Sequence, residues 1–268
     1  MTESTALSRR HVRHELVQRH LTVVRVRAVT SRIVRVTLTG NLDGFAADGP
    51  ADHLKVYFPD PATGAVATPG FARGGIGLSA PGRVTGRDYT PLAFRADDGE
   101  LDLDFVVHGD EGPASAWAGH AAPGDRLVVA GPKSSKLVPD GLTGLVLVVD
   151  ETAFPAASRW LRLTPPDVPV TVLLDATDED AGYFDDLPGM GRATLHAGVD
   201  LEATLRSLPI GPGTFVFLAG EATTLVPLRR YLRRELGLGP DQVVATGYWK
   251  RGVSGLDHHA PVDPDDPD

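Results

Sequence analysis

Arg87-Asp-Tyr89-Thr90 sets a phosphate-pairing guanidinium, a flat ring and a hydroxyl side by side. Arginine pairs with phosphate through a planar fork. A tyrosine two residues on shares the same strand face, where its ring can stack on a planar heterocycle. The threonine adds a hydroxyl and a backbone amide for a ring nitrogen. These are the means to hold a flavin by its rim. The same four residues also read as a surface strand with one buried tyrosine. A second constellation is His108-Gly-Asp-Glu-Gly112-Pro113-Ala114-Ser115-Ala-Trp117, between a strand-like and a helix-like run. Small residues at a helix start leave unpaired N–H groups, a ready site for pyrophosphate. Its other reading is a capped helix with Ser115 in the first turn and Trp117 in the core.

Asp150-Glu151-Thr152 closes an apolar run, at the strand end where open α/β sheets bind ligands. Ala219-Gly220-Glu221 and Tyr248-Trp249-Lys250-Arg251-Gly252 end two later runs, and a Gly-Glu pair also serves as a plain helix cap. Other chemistries lack their residues. Gly131-Pro-Lys133-Ser134 imitates the tail of a phosphate loop, but Arg126 stands where the first glycine is required. Gly252-Val-Ser254-Gly255 is one residue short of a nucleophile elbow. Neither a Gly-x-Gly-x-x-Gly fingerprint nor His-Glu-x-x-His occurs. The chain has no cysteine, which removes disulfides, cysteine nucleophiles, thiolate zinc sites and cysteine-ligated iron–sulfur clusters. His258-His259 reads as a solvated pair rather than a metal site.

The elements that must position these residues change character midway. Val24-Arg-Val26 and Val34-Arg-Val36-Thr-Leu38 alternate, as half-buried strands do. Further strands are expected at 53–58, 101–107 and 126–130, with a turn-rich stretch over 61–86. That pattern predicts an antiparallel barrel. In the second half, Leu145-Val-Leu-Val-Val149, Val170-Thr-Val-Leu-Leu174 and Thr214-Phe-Val-Phe-Leu218 are continuous apolar runs, typical of strands buried on both faces. A helix is expected over 153–163. Another should present Leu225, Leu228, Leu232 and Leu236 on one face, arginines opposite, and stop at Gly237. Alternating strands and helices predict a parallel α/β sheet. The expected organisation is a flexible basic arm (1–20), a barrel domain (21–131), a linker (132–144), an α/β domain (145–252) and a disordered acidic tail (253–268). A formal charge of −9 argues against nucleic acid as a partner. No apolar run approaches the ~18 residues that span a bilayer, and the first residues lack a signal pattern. A cytoplasmic soluble protein is the expectation.

Taken in order, the segments resemble the siderophore-interacting protein family, FAD-dependent ferric-siderophore reductases related to ferredoxin reductases. The likeness runs from about Leu21 to Gly252. Its marks are Leu21-Thr-Val-Val-Arg-Val, His53-Leu-Lys55, Arg87-Asp-Tyr89-Thr90, Asp104-Phe-Val-Val-His108 through Trp117, Pro123-Gly-Asp125, Ala130-Gly-Pro132, Asp150-Glu-Thr152, Ala219-Gly-Glu221 and Tyr248-Trp-Lys-Arg-Gly252.

The resemblance implies an N-terminal FAD-binding barrel and a C-terminal α/β domain that receives NAD(P)H. Arg87, Tyr89 and Thr90 would hold the flavin, Tyr89 and Thr90 as its catalytic contacts. His108, Gly112, Pro113, Ala114, Ser115 and Trp117 would take its pyrophosphate side. Asp150, Glu151, Thr152, Glu221 and Trp249 would line the nicotinamide entrance. Where the family commonly has arginine, glycine and glutamate, this chain has Leu92, Val149 and the stretch Val253–Gly255. The implied activity is electron transfer from NAD(P)H through FAD to a ferric siderophore, by a monomer with no metal ligand of its own. The alternative is a flavin protein of the same fold acting on an organic metabolite without ferric reduction. The chain's four lysines are Lys55, Lys133, Lys136 and Lys250, and with Arg251 they are candidates to meet an anionic chelate. The acidic stretch Asp175–Asp180 would repel a 2′-phosphate and leans toward NADH, or else is a solvated loop.

Overall fold

The alternating first half forms a seven-stranded antiparallel sheet. Its strands are β1 (Gln18–Ala28), β2 (Ile33–Thr39), β3 (Leu54–Tyr57), β4 (Gly86–Tyr89), β5 (Ala93–Arg95), β6 (Glu100–Val106) and β7 (Arg126–Ala130). They lie in the order β4-β3-β7-β1-β2-β6-β5. The two edge strands, β4 and β5, are therefore neighbours in sequence. Laid flat, seven strands would hold their edges about 29 Å apart at ~4.8 Å per strand. The link from Tyr89 to Ala93 reaches about 14 Å at most, so the sheet must roll into a half-barrel. Leu21 and Val23, Val36 and Leu38, and Leu101, Leu103 and Phe105 fill its interior at the period of two that the sequence shows. The opposite phase is tied together as well: Arg35 forks onto Asp104 at 2.7 and 2.8 Å, and the Thr37 hydroxyl donates to Asp102 at 2.7 Å. Between β6 and β7 runs α1 (Pro113–His120).

The continuous apolar runs of the second half form a five-stranded parallel sheet. Its strands are β8 (Gly144–Val149), β9 (Val170–Leu174), β10 (Ala193–Ala197), β11 (Thr214–Glu221) and β12 (Val243–Trp249), in the order β10-β9-β8-β11-β12. Helices α2 (Phe154–Leu163), α3 (Leu201–Ser207) and α4 (Ala222–Arg230) connect them. From β8 the sheet grows one way through β9 and the other way through β11. The carboxyl ends of β8 and β11 thus form a topological switch point, where such sheets bind ligands.

The computed structural model describes residues 7–72, 75–78, 84–109, 112–257 and 260–267. It divides into two units, Val12–Ser135 and Lys136–Asp268 with the residues through His11. The division falls inside the expected linker. Several expectations need correction. From Leu7 onward the supposed flexible arm is structured: Leu7 is buried, and Arg9 donates to the carbonyls of Leu137 and Lys136, both at 2.9 Å. Residues 260–267 of the supposed disordered tail are docked. Val262 joins the core around α4, and Asp263 is paired with Arg230 at 2.5 and 2.8 Å. Leu236 is 41 % exposed, off its expected face, because a π turn at Tyr231–Glu235 breaks the helical period. Arg229, expected on the solvent side, is buried and paired with Asp266 at 3.0 Å. The edge strand β10 was not expected at all. The His258-His259 pair lies outside the described residues.

Candidate functional site

In the barrel unit, β4 pairs with β3 so that Leu54 faces Tyr89, Lys55 faces Asp88 and Val56 faces Arg87. Arg87 and Tyr89 share one face, as their spacing predicts. The half-buried Tyr89 ring packs on Phe105 at 4.5 Å and Phe58 at 6.3 Å. Burial pushes its phenol above the usual range, against the pull of nearby Arg87, so it stays a neutral donor. The Arg87 guanidinium donates to its neighbour's carbonyl at Gly86, 2.8 Å away. Thr90 is buried at the turn into the β4–β5 link, and Leu92 is buried just beyond it.

The segment before α1 divides its expected roles. Trp117 packs against Phe58 at 5.8 Å and Phe105 at 5.5 Å, which makes it the anchor of α1 rather than a free phosphate contact. The buried Ser115 hydroxyl accepts from the His108 amide at 2.9 Å and donates to the Gly109 carbonyl at 2.6 Å. It braces the loop instead of facing a ligand. Gly112 at the helix start has φ 90°, and no side chain among the described residues caps α1. Gly109 shares that left-handed φ, and among the described residues a Cβ on either glycine would meet nothing within 4 Å. A helix start with free backbone amides near Ala114 and His108 exposed at its margin fits the pyrophosphate of FAD.

In the α/β unit the switch point is built around Asp150. This residue follows β8 and is 4 % exposed. Its Oδ1 accepts from the Thr152 amide at 2.9 Å and the Thr152 hydroxyl at 2.5 Å. Its Oδ2 accepts from the Glu221 amide at 2.9 Å and from Trp249 Nε1 at 2.7 Å. Burial raises the carboxyl above its ordinary value, and these four bonds pull back without cancelling it. Glu221 caps α4 by accepting from the Thr224 amide at 2.8 Å, and also accepts from the Arg251 amide at 3.1 Å. Burial pushes Glu221 up, but bonds from Arg251, Thr224 and Thr223 outweigh it and hold the carboxyl below the usual range. Asp150, Thr152, Glu221 and Trp249 are thus brought together, with the half-buried Glu151 beside them. A shallow crevice, too tight to admit a water molecule, is lined by Val149, Asp150, Asp175, Gly220 and Glu221 at this strand edge. Of the acidic stretch, Asp175 lines it, while Asp178–Ala181 forms a helical turn capped by Thr177.

The basic candidates are not equivalent. Lys55 is ion-paired with Asp88 at 2.6 Å. Lys133, Lys136, Lys250 and Arg251 are exposed. The spatial pairing of Asp150 with Trp249 had no signal in the sequence beyond both residues ending strands.

Residues 22–136 match the family model of the siderophore-interacting FAD-binding domain, and residues 142–252 match that of the siderophore-interacting protein. The chain is 36 % identical over 247 residues to the NADPH-dependent ferric-chelate reductase of Escherichia coli, covering 89 % of this chain and 95 % of that protein. It is 32 % identical over 251 residues to ferric vibriobactin reductase ViuB of Vibrio cholerae, covering 90 % and 92 % respectively. Among solved structures, a siderophore utilization protein from T. fusca superposes with a TM-score of 0.84 at 39 % identity, covering 94 % of this chain and all (100 %) of that one. With both family models matched in order along one chain, and relatives matched over nearly their whole length, this chain belongs to the siderophore-interacting protein family.

Proposed function

We propose that the chain is an NAD(P)H-dependent ferric-siderophore reductase that uses FAD. One observation carries this reading: a single chain joins an FAD-binding domain to a parallel sheet whose switch point gathers Asp150, Glu221 and Trp249. The full-length likeness to ferric-chelate reductases supports it. When bound, FAD accepts two electrons together from a nicotinamide and releases them singly, which suits a one-electron Fe(III) acceptor. Fe(II) then leaves, because it binds hard oxygen ligands less tightly than Fe(III) does.

In this reading the first amides of α1 hold the pyrophosphate. Arg87, with its charged fork, would hold a phosphate of the cofactor. Tyr89 offers the flavin a rigid aromatic edge, backed by Phe58 and Phe105, and Thr90 adds a hydroxyl. The switch-point residues Asp150, Glu151, Thr152, Glu221 and Trp249 shape the nicotinamide entrance. Lys55, Lys133, Lys136, Lys250 and Arg251 attract an anionic chelate. No helix among the described residues is long and apolar enough to cross a membrane. A monomer working in the cytoplasm, where NAD(P)H is available, completes the proposal.

The test mixes purified protein with NADH or NADPH without oxygen, then adds a ferric chelate and a ferrous indicator. Flavin absorption, its bleaching and a ferrous signal are expected in that order. Bleaching without a ferrous signal would transfer the reading to an organic acceptor. Bound flavin that never bleaches would remove reductase activity, and absence of flavin binding would remove the whole reading.

A further inference from the structure

We propose that Asp150 is a positioning residue for the nicotinamide step: without touching the dinucleotide, it fixes the plane of the Trp249 indole, on which the nicotinamide ring stacks. This rests on the reading of the α/β unit as the NAD(P)H-receiving half.

A carboxylate has about four lone-pair sites. Those of Asp150 are met by four donors, two from Thr152, one from Glu221 and one from Trp249. Nothing remains for a ligand, and the residue is buried. Trp249 is the reverse case. Its N–H is pinned at 2.7 Å, yet the residue is 37 % exposed. An exposed indole ordinarily samples several rotamers; this one is tied at its far edge.

The tie spans the sheet. Asp150 follows β8 and Trp249 ends β12, with β11 between them, so the indole reaches past the end of β11. Two features of the backbone make room. Gly220 sits there with φ 150°, and a Cβ on it would lie 2.6 Å from the Asp150 carboxyl carbon, so any side chain would displace the carboxylate. The β11–β12 register also shifts after Gly220, pairing Glu221 with Trp249 where an unbroken ladder would pair it with Tyr248. Bulges re-aim side chains in this way. The glycine, the bulge and the buried carboxylate converge on a single outcome, a fixed and accessible indole face. A fixed indole face gives the flat nicotinamide ring a stacking surface, and it holds the oxidised, cationic form more tightly than the reduced one.

The test uses Asp150→Asn, Trp249→Phe and the double variant of the full chain. An amide cannot accept from all four donors, so Asp150→Asn should release the indole and raise KM for NAD(P)H about tenfold with kcat changed far less. Trp249→Phe should do the same, and the double variant should be no worse than either single one, because both act through one contact. Time-resolved fluorescence anisotropy of the acrylamide-accessible tryptophan should gain a sub-nanosecond component in Asp150→Asn. If that variant does not fold, the parent still decides: its Trp249 indole N–H should exchange slowly with solvent although the ring is exposed. Fast exchange, unchanged anisotropy in Asp150→Asn, or effects that multiply in the double variant would overturn the inference. A parent that binds FAD but never oxidises NAD(P)H would instead sink the functional reading, whatever its indole does.

Discussion

Lys55 and Asp88 face each other across β3 and β4, with Nζ 2.6 Å from the carboxylate. The lysine assigned to an anionic chelate is thus already partnered, by a residue inside the Arg-Asp-Tyr-Thr motif. Its side chain is 39 % exposed, and an exposed pair of this kind is worth roughly 0.2–1 kcal/mol. A chelate can compete with such a partner. Asp88→Asn should lower KM for an anionic ferric chelate roughly two- to fivefold, the factor that energy allows. Lys55→Ala should raise it, and added salt should slow the reaction with an anionic chelate more than with a neutral one. Equal salt sensitivity for the two chelates would remove Lys55 from the substrate path.

Ser115 supports the flavin cradle from behind. Its hydroxyl ties the His108 amide to the Gly109 carbonyl, so Ser115→Ala leaves both backbone groups without that partner. Each lost bond of this type costs about 1 kcal/mol. FAD affinity should fall roughly tenfold, and the melting temperature should drop by roughly 4–8 °C, the shift that about 2 kcal/mol gives. A fluorescence titration measures the first and calorimetry the second. Unchanged FAD affinity would show that the loop's shape does not matter for the cofactor.

How much of this was legible in the sequence depends on whether burial leaves a period behind. Val34 to Leu38 announced a one-sided strand, and Leu145 to Val149 a two-sided one, because each face's environment repeats along the chain. The edge strand Ala193–Ala197 mixes half-buried and exposed positions, so neither pattern marks it. The π turn after Arg230 has no compositional sign, and Leu236 was misplaced for that reason. Side-chain roles were harder still. The sequence leaves Ser115 and Trp117 open between a phosphate site and a capped, core-packed helix, and the contacts of the Ser115 hydroxyl with His108 and Gly109 and of the Trp117 ring with Phe58 match the second reading. The Asp150 motif was visible, whereas its partner lies 99 residues away in sequence, and no spacing rule reaches that far.

The acidic C-terminal segment should respond to pH. Asp263 is held below the usual carboxylate range chiefly by its bond to Arg230, and Asp266 chiefly by its bond to Arg234. A carboxyl depressed on folding contributes stability that is present above its unfolded pKa, about 3.9, and lost as pH falls through the folded value. The segment should therefore stay docked at pH 6 and come loose below about pH 4. Amide exchange over residues 260–267, corrected for intrinsic rates, measures this. Asp263→Asn should loosen the same amides at neutral pH. Equal protection at pH 6 and pH 3 would mean that Val262 alone holds the segment.

Asp175 is placed to choose between nicotinamide nucleotides. It immediately follows β9, its amide bonded to the Val149 carbonyl at 2.9 Å, and it lines the crevice with Asp150 and Gly220. In dinucleotide-binding sheets an acidic residue after the second strand accepts from the ribose 2′-hydroxyl and rejects a 2′-phosphate. In this unit β9 is the second strand. The neighbouring Asp178 and Glu179 open a helical turn, where the helix dipole favours acidic side chains, which leaves Asp175 as the residue to test. The Escherichia coli relative is NADPH-dependent by name, the opposite of the preference an acidic residue here gives. Asp175→Asn should raise kcat/KM for NADPH about tenfold, equivalent to ~1.4 kcal/mol. NADH should change little, because the amide oxygen still accepts from a hydroxyl. Paired kinetics with the two nucleotides check this. Equal gains for NADH and NADPH would place the ribose away from Asp175 and leave the crevice to the nicotinamide end alone.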